Sequence, residues 1–375
     1  MNMIELGNVA EFINGAAFKP ENWEEEGLKI IRIQNLTDPT KPFNRTTRKV
    51  DEKLYITQGD LLVSWSATLG VFVWNDVETA LLNQHIFRVL PKPNIDKNFL
   101  RHALIGALNE MNKHLHGATM KHVNRGEFLA TKIFNPPLAQ QKRIAAILDK
   151  ADEIKRKREQ AIAKLDQLAQ SIFVEMFGNI AINEKGWEIL KFGDIGTLDR
   201  GVSKHRPRNA PELLGGVYPL VQTGEVANCD GYIRKYKNTY SEIGLKQSKI
   251  WSAGTLCITI AANIAKTGIL TFDACFPDSV VGFCAENTAT VLYVMVWLSF
   301  LQKTLEDSAP ESAQKNINLA ILRKLEIPFP PIALQEQFAT RISKLEKLKA
   351  SNIAAFEKHN ELFASLQSQA FTGQL

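Results

Sequence analysis

The chain has 375 residues, is 45% hydrophobic and 23% charged, and carries a net charge of +5. This is an ordinary globular composition, with length for two or three domains and a sizeable core in each, and it excludes a disordered or low-complexity chain. Lys and Arg number 45 against 40 Asp and Glu, so a polyanion cannot be held by bulk charge, and any nucleic-acid surface must be a local patch.

Residues 1–10 show neither the basic nor the apolar region of a secretory signal. The segment Glu5–Ala10 predicts a short helical turn entering a strand, followed by the Gly-containing loop FINGAAFKP with Lys19. KIIRIQNL reads as a strand rich in β-branched residues. The basic stretch KPFNRTTRK follows, with Arg45 and Arg48, and then GDLLVSWSA (59–67), which alternates like a half-buried strand after a turn. FLRHALIGALNEM predicts an amphipathic helix. It leads to a polar loop (117–124) with Lys121, His122 and Asn124, and then to the stop Pro136-Pro137.

From Pro136 the text repeats. PPLAQQKRIAAILDKADEI opens a long helical pattern ending near Gly178, and PPIALQEQFATRISKLEKL opens another from Pro330 to Gly373. Self-similarity at this scale marks a duplicated architecture. Between the two lie counterparts of every earlier element. Lys191–Gly196 is the helical turn, and LDRGVSKHRP leads the basic loop with Lys204, His205, Arg206 and Arg208. VYPLVQTGEV is the strand-like run, and GTLCITIAA (254–262) matches GDLLVSWSA. TATVLYVMVWLSFL (288–301) is a buried core helix, too short to cross a bilayer of about 30 Å. The loop 311–318 carries Lys315 and Asn316. The four cysteines, Cys229, Cys257, Cys275 and Cys284, all lie in this second copy without Cys-x-x-Cys spacing. They read as buried free thiols of a cytoplasmic protein.

Strands first and helices later in each copy predict an α+β fold: two globular α/β domains in tandem, at 1–135 and 179–329, with long helices at 136–178 and 330–375. Prolines start each helix, and glycines stand where a C-cap belongs. In the first, Ile144, Leu148, Ala151, Ile154, Ala161, Leu165, Leu168, Ile172 and Met176 form a stripe at steps near three and four. In the second the stripe is Phe338, Ile342, Leu345, Leu348, Phe356, Phe363, Leu366 and Ala370, interrupted by Asn352 and His359. Such a narrow seam, sustained over helices about 60 Å long, predicts that they pair antiparallel as a coiled-coil spacer, in a pseudo-twofold plan.

Catalytic motifs are thin. Asn135-Pro136-Pro137-Leu138 is similar to the Asn-Pro-Pro-aromatic motif of amino-methyltransferases, but its fourth residue is Leu and its repeat counterpart is Phe329-Pro330-Pro331-Ile332. There is no Walker A loop, no His-Glu-x-x-His and no Gly-x-Ser-x-Gly elbow. His114, His116 and His122 lack the carboxylate or thiolate company of a metal site. The run Lys155–Arg158 reads as a solvated helix face near Asp152, Glu153 and Glu159. The chemistry that remains is cationic. Lys and Arg neutralise phosphates, while Arg, Asn and Gln read base edges. Such residues recur at matching loops of both copies.

The paired Pro-Pro-aliphatic-x-x-Gln helix openings, the GDLLVS/GTLCIT strands and the ending FTGQL together resemble the specificity (S) subunit of type I restriction–modification systems over essentially the whole chain. The resemblance implies a non-catalytic DNA-binding subunit with two target recognition domains. Each would read one half of a bipartite site in double-stranded DNA. The helices would set the spacing and dock two modification subunits that methylate adenine. It further implies no cofactor on this chain. S-adenosylmethionine, ATP and Mg would sit on the partners, restriction subunits would complete the complex, and no membrane would be involved. A self-contained DNA methyltransferase and a coiled-coil scaffold without a DNA role are the alternatives.

Overall fold

The computed structural model describes residues 2–114, 124–261, 265–308 and 317–375. The chain forms two compact units, one of residues 1–160 with 353–375 and one of residues 161–352.

Unit 1 contains β1 (Met3–Glu5), α1 (Leu6–Val9), β2 (Ala10–Asn14), β3 (Leu28–Ile31), α2 (Ile33–Thr37), β4 (Asn44–Thr46), β5 (Tyr55–Ile56), β6 (Leu61–Ser64), β7 (Gly70–Val73), β8 (Ala80–Leu82), β9 (Ile86–Pro91), α3 (Lys97–His114), α4 (Arg125–Ala130) and β10 (Lys132–Phe134). The 40-residue helix α5 (Leu138–Phe177) begins there. Its strands form a pair, β1-β10, and two four-stranded sheets ordered β2-β9-β6-β7 and β4-β3-β8-β5.

Unit 2 contains β11 (Glu188–Lys191), a 3-10 turn at Phe192–Asp194, β12 (Thr197–Arg200), β13 (Leu214–Leu220), α6 (Thr223–Ala227), β14 (Gly231–Ile233), β15 (Asn238–Tyr240), α7 (Glu242–Lys246), β16 (Ile250–Trp251), β17 (Leu256–Thr259), β18 (Thr267–Leu270), β19 (Ala274–Cys275), β20 (Val280–Cys284), α8 (Thr288–Ser308), α9 (Leu319–Lys324) and β21 (Glu326–Phe329). The second 40-residue helix, α10 (Ile332–Phe371), starts in this unit. The sheets are β11-β21, β12-β20-β17-β18-β14 and β15-β13-β19-β16. Each matches a sheet of unit 1 strand for strand, down to the parallel pairs β3-β8 and β13-β19. Among the described residues the exception is β14, an added strand that runs parallel to β18 at the sheet edge.

Two expectations from the sequence are corrected. First, β6 and β17 are buried on both faces instead of half-buried. Leu61 and Val63 face the helix-covered core with Leu100 and Leu104, while Leu62 faces Ile31 and Trp74 across the second sheet. Leu256 and Ile258 against Cys257 repeat that division. A strand between two cores has no solvent face, so its alternation separates two apolar sets. Second, the strand-like runs KIIRIQNL and VYPLVQTGEV end as helical turns, α2 and α6. Reciprocal capping switches the backbone. Asn35 Oδ1 accepts the Arg32 amide at 3.1 Å, and Glu225 Oε2 accepts that of Gln222 at 3.1 Å.

The apolar 288–301 run is the inner face of α8, with Tyr293, Val294, Trp297 and Leu298 fully buried or nearly so. Among the described residues no helix is long and apolar enough to cross a membrane. Cys257 and Cys275 are buried, Cys229 and Cys284 half-buried, and all four are free thiols.

Within unit 1, Ile144 and Leu148 of α5 pack with Phe363, Leu366 and Ala370 of α10. Phe99 and Phe134 join the same cluster, so the paired helices share a core with the sheet domain. Within unit 2, Phe173, Met176 and Phe177 of α5 meet Phe338 and Ile342 of α10, and Tyr293 and Trp297 of α8 complete the packing. Ile172 and Leu345 lie half-buried against it. Ile154, Leu165 and Phe356 are half-buried.

The stripe as read from the sequence needs two changes. Leu348 and Leu168 are exposed by 51% and 44%. In α10 the inward place beside Leu348 belongs to Lys349, which is 5% exposed. Positions 342, 349, 356, 363 and 370 recur every seven residues, and Lys349 is the buried charge among them. The interruption at His359 is a contact, since its Nε2 lies 2.8 Å from the Ala151 carbonyl oxygen.

Candidate nucleic-acid interface

The repeat builds the same entry loop in both units. Gly15 follows β2 and Gly201 follows β12, and each hydrogen-bonds through its amide to the opening of the next strand over, Ile86 O at 3.1 Å and Val280 O at 2.9 Å. A Cβ on Gly15 would stand 2.0 Å from Asn83 O, and one on Gly201 2.3 Å from Phe276 O. No side chain fits either place, so glycine fixes where both loops leave the sheet.

The chemistry on this shared frame differs. In unit 1 the loop is fastened by a neutral amide: Asn83 Oδ1 accepts the Phe18 amide at 3.3 Å. In unit 2 the corresponding turn presents Asp278, which gathers three arginines. Arg208 reaches Asp278 Oδ1 at 2.5 Å, Arg206 reaches Oδ2 at 3.5 Å, and Arg200 Nε donates to the Asp278 carbonyl at 2.8 Å. Arg206 also donates to Ser203 O and His205 O. The Lys204 amide donates to Gln247 Oε1 at 2.7 Å, and the residue is exposed. The His205 ring lies 3.9 Å from Glu212. The loop is a cationic surface pre-arranged around one carboxylate, and Arg206 and Arg208 keep about half their side-chain area in solvent.

The other sequence-read positions fall less evenly. Lys19 is exposed beside Glu21 at 3.8 Å. Arg45 faces inward: its guanidinium donates to Gly27 O and pairs with Glu78 at 2.9 Å. Lys29 binds Asp76 at 2.6 Å and Glu78 at 2.9 Å. The hydrogen bonds from Arg45 and Lys29 hold the Glu78 carboxyl below its usual range, and those to Asp76 and Glu78 raise the Lys29 ammonium. Arg45 is therefore engaged within the fold. Arg48 lies over the Phe18 ring at 5.7 Å and donates to Ala17 O. Asn124 caps α4 by accepting the Gly126 amide at 2.8 Å. Lys121, His122, Lys315 and Asn316 lie outside the described residues. So does the histidine cluster apart from the backbone of His114, and among the described residues no group of His, Cys, Asp or Glu is arranged to hold a metal ion. In the helix run, Lys157 pairs with Glu153 at 2.6 Å.

Two features were not anticipated. One is the segment Tyr232–Lys237, in which Arg234, Lys235 and Lys237 are interleaved with Tyr232 and Tyr236; comparison of the two copies does not single it out, because unit 1 has nothing to align with it. The other is the hydrogen bonding of the buried glutamine that closes each Pro-Pro-aliphatic-x-x-Gln opening. Gln141 accepts the Asp96 amide at 2.8 Å and donates to Pro136 O at 2.9 Å and Asn135 Oδ1 at 3.1 Å. Gln335 accepts from the Thr290 hydroxyl and donates to Pro330 O, both at 2.8 Å. Each glutamine ties a long helix to the start of its unit's own helix, at Asp96 just before α3 and at Thr290 in the first turn of α8. The Asn135 side chain is thus a structural acceptor.

The sequence matches the Type I restriction modification DNA specificity domain twice, over residues 1–164 and 184–361. The chain belongs to this family. Specificity-family relatives cover nearly all of it. It is 25% identical to the type I restriction enzyme EcoBI specificity subunit of Escherichia coli, over 99% of this chain and 85% of that one. It is 21% identical to the EcoKI specificity subunit of E. coli K12, over 99% and 88%. In fold it is similar to the type I restriction-modification S subunit from M. genitalium, with TM-score 0.60, 15% identity, and 99% and 96% of the two chains covered. It is also similar to a chain solved for the assembly and conformational transition of the type I R-M system, with TM-score 0.57, 17% identity, and 100% and 98% covered.

Proposed function

We propose that this specificity-family chain binds double-stranded DNA within a type I restriction–modification complex, each unit reading one half of a bipartite site. One observation carries the reading: two units share strand order, a glycine-anchored entry loop and a glutamine-anchored helix, yet set different side chains on that loop. A common frame with unlike readers fits an asymmetric split target. The recognition domains are residues 1–135 and 179–329, and the helices at 136–178 and 330–375 set the gap through their paired seam. Lys204, Arg206 and Arg208 are the foremost contacts in unit 2, and Lys19 and Arg48 in unit 1.

The chain contributes no catalytic group; the engaged Asn135 supports that. Two modification subunits dock on it and methylate adenine with S-adenosylmethionine. Restriction subunits join with ATP and Mg, and the complex works in the cytoplasm. Footprinting the complex reconstituted with modification subunits tests this. Two protected half-sites separated by an unprotected gap are expected, and protection of one continuous short site refutes it.

A further inference from the structure

We propose that residues 234–237 of unit 2 form an additional, sequence-indifferent grip on the DNA phosphate backbone, one that unit 1 lacks. The inference rests on the DNA-binding reading above and deepens it.

The repeat isolates the segment. Unit 1 passes from α2 to β4 through residues 38–43, whereas unit 2 passes from α6 to β15 by a longer path that adds β14. The unit 1 loop is balanced in charge, with Asp38 and Lys41, and Asp38 accepts from Thr40 at 2.6 Å. The unit 2 path carries Arg234 and Lys235 between Tyr232 and Tyr236, and Lys237 directly after, beside a groove of about 530 Å³. The one acid lining that groove, Glu225, is already engaged by the Gln222 amide.

The bend is held on several sides. Ile233 O accepts from the Thr271 hydroxyl at 2.8 Å, and the Tyr236 ring meets Phe272 at 5.2 Å. Arg234 lies over Tyr232 at 4.9 Å and faces Glu346 of α10 at 3.8 Å. Just upstream, Asp230 binds the buried Lys349 at 2.6 Å. Lys235 and Lys237 are exposed and make no ion pair among the described residues. Two unpaired ammonium groups on a fixed bend bind an anion without ordering a loop first. Lysine is a point charge suited to phosphate. The segment's one two-pronged donor, Arg234, is turned to Glu346, so no base reader is on offer.

The test uses the chain reconstituted with its modification subunits, and two duplexes: one bearing the site mapped by methylation sequencing, and one with that site scrambled. Affinities are measured across a salt series for the parent, K235A/K237A and K41A. Each phosphate contact contributes about 0.9 to the slope of log affinity against log salt. The double variant is expected to show a slope shallower by about two, so that the parent's advantage shrinks about tenfold between about 50 and 200 mM salt. Both duplexes lose equally, leaving site preference intact, and K41A keeps the parent's slope. An unchanged slope in K235A/K237A overturns the proposal. A loss confined to the site-bearing duplex overturns it in favour of base reading. A per-lysine decrease in K41A equal to that of the double variant overturns the asymmetry. A parent that does not distinguish the duplexes refutes the specificity reading, while the slope difference still reports on residues 234–237.

Discussion

Replacing Gln335 with leucine isolates what the buried glutamine does at the start of α10. Gln335 is 0% exposed, and leucine nearly matches its volume, so the change is one of hydrogen bonding and not of packing. It orphans the Pro330 carbonyl and the Thr290 hydroxyl, both now bonded at 2.8 Å. Each buried group left unpaired costs about 1–3 kcal/mol, and the hydroxyl can rotate, so Gln335→Leu should cost about 2–4 kcal/mol. Thr290→Val alone orphans only the glutamine oxygen, at about 1–2 kcal/mol. In the double variant two apolar groups face one another and only the Pro330 carbonyl stays unpaired. Its cost should therefore fall at least about 1 kcal/mol short of the sum. Amide hydrogen exchange in the first turns of α10 reads these values, with β17 as internal reference. Gln335→Leu should speed exchange there by about thirty- to a thousand-fold, since 1.4 kcal/mol is about a factor of ten. Unchanged rates in the single variant, or strict additivity in the double, would show that the helix start is held by apolar packing alone.

Lys349 binds Asp166 and Asp230, each at 2.6 Å. Burial pulls its ammonium down, but the hydrogen bonds to the two carboxylates outweigh that, and its pKa is raised. Lys349→Met leaves carboxylates that are more than half exposed and still hydrated, so unit 2 should lose only about 1–2 kcal/mol, with faster exchange concentrated in β14; a uniform change across unit 2 would refute the pinning role. His102 is 0% exposed, and burial, then the Arg101 charge, lowers its pKa against the opposing Asp149 bond at 2.8 Å. The unfolded chain takes up the proton first as pH falls below the ordinary value of 6.5. Stability of unit 1 should therefore be full above that pH and decline below it. His102→Gln should flatten the decline in denaturant titrations from pH 7 to 5, and an unchanged slope would contradict the assignment. Asp278→Asn loosens Arg206 and Arg208 and removes one negative charge from the loop. Affinity for scrambled DNA should rise while preference for the mapped site falls, measured by competition; retained preference would mean that the arginine arrangement carries no recognition.

The long helices were legible because their signals are local: prolines at the start, glycine at the end and a seven-residue spacing between. Lys349 escaped that reading because its place in the seam is justified only by Asp166 and Asp230, residues distant in sequence. Phe173 and Phe177 stand in the same relation to Tyr293 and Phe338. The basic loops were visible as composition, but their state was not. Arg45 is engaged by Glu78, 33 residues away, whereas Arg208 is aligned by Asp278, 70 residues away. Charge alone cannot separate a cation turned inward from one held outward. The double burial of β6 and β17 was hidden for a related reason, since alternation reports two environments without saying that both are dry.

The discontinuity of unit 1 has a consequence for biosynthesis. Residues 161–352 form a contiguous unit and can close as soon as they leave the ribosome. Residues 1–160 cannot, because Ile144 and Leu148 wait for Phe363, Leu366 and Ala370 to emerge. The half made first is thus finished last, with an apolar helix face uncovered in the interval. A premature stop after residue 352 would strike the amino-terminal unit and spare the one beside the break.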